Sequence, residues 1–555
     1  MFRFAFMVFM GWMALSTTFA RADDTVSTRV DKVFSAWDKP DTPGLSIAVI
    51  RSGKIVYSRG YGMANLEYGV ANAPSTVFHA ASVSKQFTAF AVHLLVQEGN
   101  LSLDDDVRKY LPELQVQGPT ITIRHLLHHT SGLRDQWSLL TLAGLRLDDV
   151  ITEGDILGLL FQQQQLNFIP GDEELYSNSG YTLLGQIVKR VSGQSLAAFT
   201  QARIFGPLGM ANTRFQESYG NLVKGRAYSY QRSRAGYQYI ALSYSNTGAT
   251  SLFTTVEDLA LRDQNFYDAR VGGPSIMAAM QTVGQLNNGR RIGYASGLVI
   301  GRYRGLPIVE HDGADAGYRS DILRFSNQHL SVLLLGNASD LNTRELARRV
   351  ADIYLESTPG FEAPRGFPAE VELQAHELAP YLGDFEMRPG FVLSFTAEGT
   401  RLMVQGTGQP KFPLFASADN RFFTKAFESS VTFDKAGTER SVTALWEQGG
   451  QDLPLKRITR EIPSPQALAA CAGDFYSEEL GTLYRLSVRD GKLMLRHPRG
   501  VLALAPVSPD VFSVVFSVGT LSFERSASGA CDGFGVTTGR VRNLRFKRIV
   551  LPTSQ

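Results

Sequence analysis

Ser82-Val83-Ser84-Lys85 places a hydroxyl and an amine three residues apart. At a helix start this spacing puts both on one face, and the helix N-terminus directs N–H groups and positive potential at the serine. A serine hydroxyl is a weak nucleophile until a neighbour takes its proton. Lys85 can do so only if burial or nearby positive charge lowers its pKa. Residues 78–81 and 87–95 are largely apolar, so the pair is set in a core-like stretch. Tyr176-Ser177-Asn178 follows a Pro170-Gly171 turn and precedes an apolar helix. Taken alone it reads as a helix cap. Beside Ser82, Tyr176 would relay protons as a phenolate held down by cationic neighbours, and Asn178 would bond Lys85 or a substrate amide. His311-Asp312-Gly313 follows a strand-like run at 306–309, and Gly313 permits close backbone approach. Together these are the parts of an acyl-transfer site built around an activated serine.

Other chemistry-bearing clusters are weaker. His125, His128 and His129 have helical spacing, but Thr130-Ser131-Gly132 ends that helix and no H-E-x-x-H follows, so they read as structural and no metal is expected. Asp104-Asp105-Asp106 reads as a turn and helix start, and Gln162–Gln165 as a solvated helix face.

Around these residues, 45–50 and 55–57 form a predicted hairpin through Ser52-Gly53-Lys54. A helix follows from about Ser82 to Glu98 and another from Tyr181 to Val191. Strands are expected at 321–325 and 330–335. Strands at both ends with helices between imply an α/β (α+β) fold, an antiparallel sheet assembled from the two ends of the domain with helices packed on it.

The 555 residues, 44% hydrophobic and 19% charged, form a globular composition. A net charge of +2 gives no argument for a nucleic-acid partner. Arg3, an apolar run from Phe4 to Leu15 and Ala20-Arg21-Ala22 make residues 1–22 a signal peptide. The mature chain is expected to be periplasmic or secreted, with no membrane span after cleavage. Two cysteines, Cys471 and Cys531, are free to pair in an oxidising compartment or to remain buried thiols.

Pro359, Gly360, Pro364, Gly366 and Pro368 mark a linker over 358–375, ending a domain of 23–357. Beyond it lies a repeat. Leu378-Ala379-Pro380-Tyr381-Leu382-Gly383-Asp384-Phe385 matches Leu468-Ala469-Ala470-Cys471-Ala472-Gly473-Asp474-Phe475, and Leu455-Lys456-Arg457-Ile458 matches Phe546-Lys547-Arg548-Ile549. Each copy, 376–460 and 461–555, reads as a small antiparallel β barrel or sandwich. The copies could shape the cleft, bind cell wall or mediate oligomers.

The order Ser-x-x-Lys, Tyr-x-Asn, His-x-Gly, with Thr122-Ile123-Arg124-His125-Leu126-Leu127-His128-His129-Thr130-Ser131-Gly132-Leu133 between the first two, resembles the serine β-lactamase and penicillin-binding-protein superfamily, in its class C-like branch. The resemblance implies a β-lactamase-like sheet with an all-helical lobe, and it likens the trailing repeats to D-aminopeptidase appendages. It makes Ser82 the acylated nucleophile, Lys85 the proton acceptor and Tyr176 the general base or relay. Asn178 would orient substrate and lysine, and His311 takes the place of a lysine. The N–H groups of Ser82 and Ala314 would form the oxyanion hole beside Gly313, and Gln136 would contact a substrate amide. No cofactor is implied. His311 is a poorer carboxylate anchor than lysine, and His-x-Gly occurs among D-specific peptidases and esterases of the superfamily. The expected substrates are therefore small peptides with D-residues, D-amino-acid derivatives or esters. A β-lactamase and a non-catalytic penicillin-binding sensor are the alternatives.

Overall fold

The computed structural model describes residues 25–550 apart from 365, 389, 408, 419, 436–439, 449–450, 461–462 and 515–517. The signal peptide at 1–22 lies outside the described residues. No helix among those described is long and apolar enough to cross a membrane.

The first domain is built on a six-stranded antiparallel sheet. Its strands are β1 (Leu45–Arg51), β2 (Lys54–Tyr61), β3 (Val299–Tyr303), β4 (Leu306–Asp315), β5 (Tyr318–Phe325) and β6 (Leu330–Gly336). Their order is β3-β4-β5-β6-β1-β2, so the N-terminal hairpin lies beside the last strand. The unbroken apolar run of β1 reflects cover on both faces. Ile47 and Val49 pack with Val30, Phe34, Leu346 and Val350, the last two on the helix Thr343–Leu355. Ala48 and Ile50 join the larger core, which includes Phe87 and Phe90. These belong to α1 (Lys85–Gln97), which packs against α2 (Asn178–Ser192) in the helical region inserted between β2 and β3.

Small elements depart from the sequence reading. Gln162–Gln165 is not a helix face. The helix Glu153–Phe161 stops before it, and Gln163 is buried where its Oε1 accepts from the Arg134 N–H at 2.9 Å. The Asp104-Asp105-Asp106 run, by contrast, is the turn and helix start expected, with Asp106 capping a short 3₁₀ turn and Asp104 pairing with Arg124. The segment before the first barrel is pinned at both ends: Arg304 lies over Phe361, and Phe367 stacks on Phe423.

Eight consecutive strands between Gly383 and Ile458 close into a barrel. The second copy, Gly473 to Ile549, is a nine-stranded up-and-down sheet whose two edges are the neighbouring strands Gly500–Ala503 and Ala505–Ser508, so it is nearly closed. The repeat is a repeat of physical roles. Phe385 and Phe475, Leu402 and Leu493, and Val431 and Leu521 are all buried. Arg457 clamps the carbonyls of Leu382 and Pro380, and Arg548 those of Ala472 and Ala470. Cys471 and Cys531 are joined as a disulfide.

The second barrel is docked on the first domain through buried polar groups. Arg134 pairs with Glu479 at 2.5 Å, both almost fully enclosed, and also donates to the Gln165 carbonyl. The Tyr484 hydroxyl donates to the Leu142 carbonyl. Removing one member of a buried ion pair strands the other and costs about 3 kcal/mol, whereas an apolar pair of similar volume is tolerated. Glu479→Ala is therefore expected to lower the urea midpoint clearly, and Arg134→Met/Glu479→Leu to recover most of it. Equal midpoints for Glu479→Ala and wild type would show that the pair contributes nothing to docking.

Candidate active site

The site begins with a strained turn. Ser82 lies in a 3₁₀ turn, Ala81–Ser84, that runs directly into α1. Ala81 has φ +47°, a left-handed conformation costly for a residue with a Cβ. Its N–H donates to His79 Nδ1 at 3.2 Å, and its carbonyl accepts from Ser84 Oγ at 2.5 Å. The turn leaves Ser82 part-exposed while Ala81, Val83, Ser84 and Lys85 are buried.

Lys85 Nζ lies 3.1 Å from Ser82 Oγ, 2.8 Å from Asn178 Oδ1 and 2.8 Å from the Ala249 carbonyl. The last two can only accept. A neutral amine has two N–H groups for them and one lone pair, which is left facing the Ser82 hydroxyl. Burial, helped by the positive charge of Arg540, brings the Lys85 pKa down to about 7 against the pull of Asp135, Asp315 and Asp312. The amine is thus available as a proton acceptor near neutral pH.

Asn178 begins α2, and its orientation is fixed by Asp135. Its backbone N–H and its Nδ2 both donate to Asp135 Oδ2 at 2.8 Å. Both ends of the amide are engaged within the protein, so it orients Lys85. Asp135 also accepts from the Trp137 N–H. The sequence reading missed it, one residue before Gln136. Gln136 itself is fully buried, with its Oε1 accepting from Thr182 Oγ1 at 2.7 Å. It faces helix α2 and does not line the cleft, unlike the substrate contact expected.

Tyr176 packs on His129, ring centroids 4.2 Å apart, with Lys85 Nζ 4.9 Å from its ring. Burial holds its pKa well above the ordinary phenol range, and the Ser82 hydroxyl and Arg540 offset only part of that. Tyr176 is a neutral phenol here, not the phenolate expected. Burial also lowers the Lys85 pKa to about 7, so less positive charge stands beside the phenol.

His129 packs against three tyrosines, Tyr176, Tyr181 and Tyr294. It is enclosed between Tyr176 and Tyr294, and its Nδ1 accepts from the Ser177 N–H at 3.2 Å. His125 closes a capping box with Thr122, and His128 reaches the Tyr294 carbonyl. The three rings thus serve three separate tasks.

His311 is buried on β4. Its Nδ1 donates to the Asp312 carbonyl at 2.7 Å, so its Nε2 accepts from the Tyr294 hydroxyl at 2.9 Å. Burial first, then the charge of Lys85, bring its pKa down to about 4. It is a neutral acceptor at physiological pH. Strand β3 covers β4 only as far as Glu310, so His311 to Asp315 keep one open edge. A Cβ on Gly313 would lie 2.9 Å from Ser82 N, 2.8 Å from the Ala80 carbonyl and 2.4 Å from Ser320 Oγ. Only glycine lets β4 run this close to the nucleophile turn. Ala314 is the next residue on the strand and is exposed.

The last component comes from the second barrel. Its final hairpin joins β7 (Cys531–Thr538) to β8 (Val541–Ile549), and the turn carries Arg540. The guanidinium lies 4.7 Å from the Tyr176 ring centroid and 3.7 Å from Asp135 Oδ2. The turn is held from the first domain. The Arg540 carbonyl accepts from Asn167 Nδ2 and the Asp135 N–H, the Arg542 N–H donates to Asn167 Oδ1, and Arg542 pairs with Glu173. The sequence reading missed Arg540. A signal was present, because alignment of the two Lys-Arg pairs puts Arg540 where the first copy has Gly449.

A beta-lactamase family model matches residues 23–355. Penicillin-binding protein 4* of Bacillus subtilis is 29% identical over 432 residues, 73% of this chain and 93% of its own length. A D-aminopeptidase of Gluconobacter oxydans is 27% identical over 460 residues, 82% of this chain and 84% of its own. Among solved structures, the octameric penicillin-binding protein homologue from Pyrococcus abyssi aligns with a TM-score of 0.54 at 22% identity, covering 86% of this chain and 99% of that one. The D-amino acid amidase from Ochrobactrum anthropi SV3 aligns at 0.52 and 21%, covering 60% and 99%.

The contact at Gly313 is directly testable. Gly313→Ala must displace β4 or the Ser82 turn, and a misplacement of about 1 Å costs about a hundredfold in reactivity. Labelling of Ser82 by a fluorophosphonate is expected to slow by that order while the far-UV circular dichroism is kept. Unchanged labelling would mean that the close approach has no bearing on the nucleophile.

Proposed function

From the premise that the chain belongs to the beta-lactamase family, we propose that it is a serine hydrolase that cleaves amide or ester bonds through an acyl-enzyme on Ser82. The observation that carries this reading is the Lys85 amine, held between two acceptors with its lone pair toward Ser82 Oγ. Ser82 Oγ attacks the carbonyl carbon as its proton passes to Lys85 Nζ. The oxyanion is received by the N–H groups of Ser82 and Ala314. Tyr176, a neutral phenol, hands its proton to the leaving amine or alkoxide and is reprotonated from Lys85. A water then attacks the acyl ester with the same groups in reverse roles.

A D-aminopeptidase-like, DD-peptidase-like or esterase activity is preferred. The relatives named as D-aminopeptidase and D-amino acid amidase support it. The candidate substrates are short peptides with D-residues, D-amino-acid amides and small esters. A penicillin-hydrolysing activity is the second reading, supported by the relative named as a penicillin-binding protein. We also propose export, on the apolar N-terminal run and the Cys471–Cys531 bridge.

Intact-protein mass spectrometry with a fluorophosphonate, a penicillin, D-amino-acid amides and p-nitrophenyl esters tests the reading, with product release followed in parallel. A Ser82-dependent adduct with turnover is expected, and Ser82→Ala is expected to form none. Absence of both adduct and turnover with every probe would sink it. The working form of Lys85 is the neutral amine, so kcat/KM is expected to rise with pH through an inflection near 7. Lys85→Met is expected to remove that limb and lower kcat by at least about a thousandfold. A flat profile between pH 5 and 9 would exclude Lys85 as the base.

A further inference from the structure

The site holds a cation whose donors are not needed by the chemistry. Lys85 has its N–H groups on Asn178 and Ala249. His311 is neutral, with both ring nitrogens engaged by Tyr294 and its own strand. Arg540 differs from both. Its side chain is 42% exposed, and it stands over the ring of Tyr176, whose hydroxyl neighbours Ser82. Asp135 is near but at 3.7 Å is beyond hydrogen-bond distance, and that carboxylate already takes three N–H donors from Asn178 and Trp137. A guanidinium presents planar paired donors that match a carboxylate.

Its placement is also fixed in advance. Asn167, Asp135 and the Arg542–Glu173 pair hold the turn, and Arg134 donates to the Arg542 and Asn543 carbonyls while paired with Glu479. An arginine on so constrained a turn loses little further freedom when a ligand binds.

We propose that Arg540, delivered by the second barrel, is the specificity-determining anchor for a substrate carboxylate bound over Tyr176 beside Ser82. The substrate class is then an acyl compound with a free carboxylate close to the scissile bond, such as a short peptide with its C-terminus free. The proposal rests on the Ser82 hydrolase reading. It gives the second repeat a direct part in substrate choice.

The test uses the full mature chain and two phosphonate probes of one skeleton, one with a free carboxylate on the leaving side and one with a carboxamide. Rates of Ser82 labelling are compared on the alkaline plateau of each variant, because loss of Arg540 also removes a positive neighbour of Lys85 and moves its titration upward. For wild type the acid is expected to label about tenfold faster than the amide or better. That ratio is expected to fall to near one in Arg540→Gln and to be partly kept in Arg540→Lys. The pH limb of Arg540→Gln is expected to shift to higher pH, a change that loss of packing alone would not produce. Equal wild-type rates for the two probes, or an acid preference that survives in Arg540→Gln, would overturn the anchor and leave the nucleophile standing. No Ser82 labelling by either probe in folded wild type would overturn the hydrolase reading and the anchor with it.

Discussion

The structure depends on one costly arrangement, an amine with no exposed surface. Holding Lys85 at a pKa of about 7 disfavours its charged form by roughly 5 kcal/mol relative to a solvated lysine. An unpaired ammonium there would be worse still. The surrounding elements make the neutral form fit. Two acceptors absorb its two N–H groups, and the remaining direction holds the Ser82 hydroxyl. Asn178 can serve as an acceptor only because Asp135 fixes the other end of its amide. Asp135 in turn sits where it caps both α2 and the helix Gln136–Ala143. A single buried nitrogen therefore sets demands on the starts of two helices.

The same principle governs the strand side. β4 must come within contact of the Ser82 turn, and the turn must bend through a left-handed alanine to meet it. Gly313 removes the Cβ that would forbid the approach. His311 and Tyr294 then fill the space beside it with a neutral, fully bonded pair. With His311 neutral, the positive neighbour that helps keep Lys85 deprotonated is Arg540 and not the imidazole.

What could be read in the sequence follows from how local each signal is. Ser82, Lys85 and Asn178 were legible because they sit at helix starts within short motifs, and five strands of the sheet because their apolar runs mark both ends of the domain; the edge strand Val299–Tyr303, without such a run, was not. Charge states were harder to read. Tyr176 and Lys85 titrate according to burial, a property of the assembled core and not of spacing. Gln136 was misplaced by one residue of helical phase, since at that helix start the neighbour Asp135 takes the polar task. Arg540 lies 364 positions beyond Tyr176, and no motif connects them.

The two repeats explain how such a distant residue can be positioned. Both copies keep a buried phenylalanine on the first strand, Phe385 and Phe475, and the same arginine clamp, so the barrel is a repeated frame within one chain. Cys471 stands where the first copy has Tyr381, which there packs on Phe422 and Phe433. Cys531, its disulfide partner, opens the strand that leads to the Arg540 turn. The bridge ties the start of that strand to the segment just before the barrel's first strand. Cys531 and Arg540 thus fall on the same hairpin, one tied at its start and the other at its tip beside Tyr176.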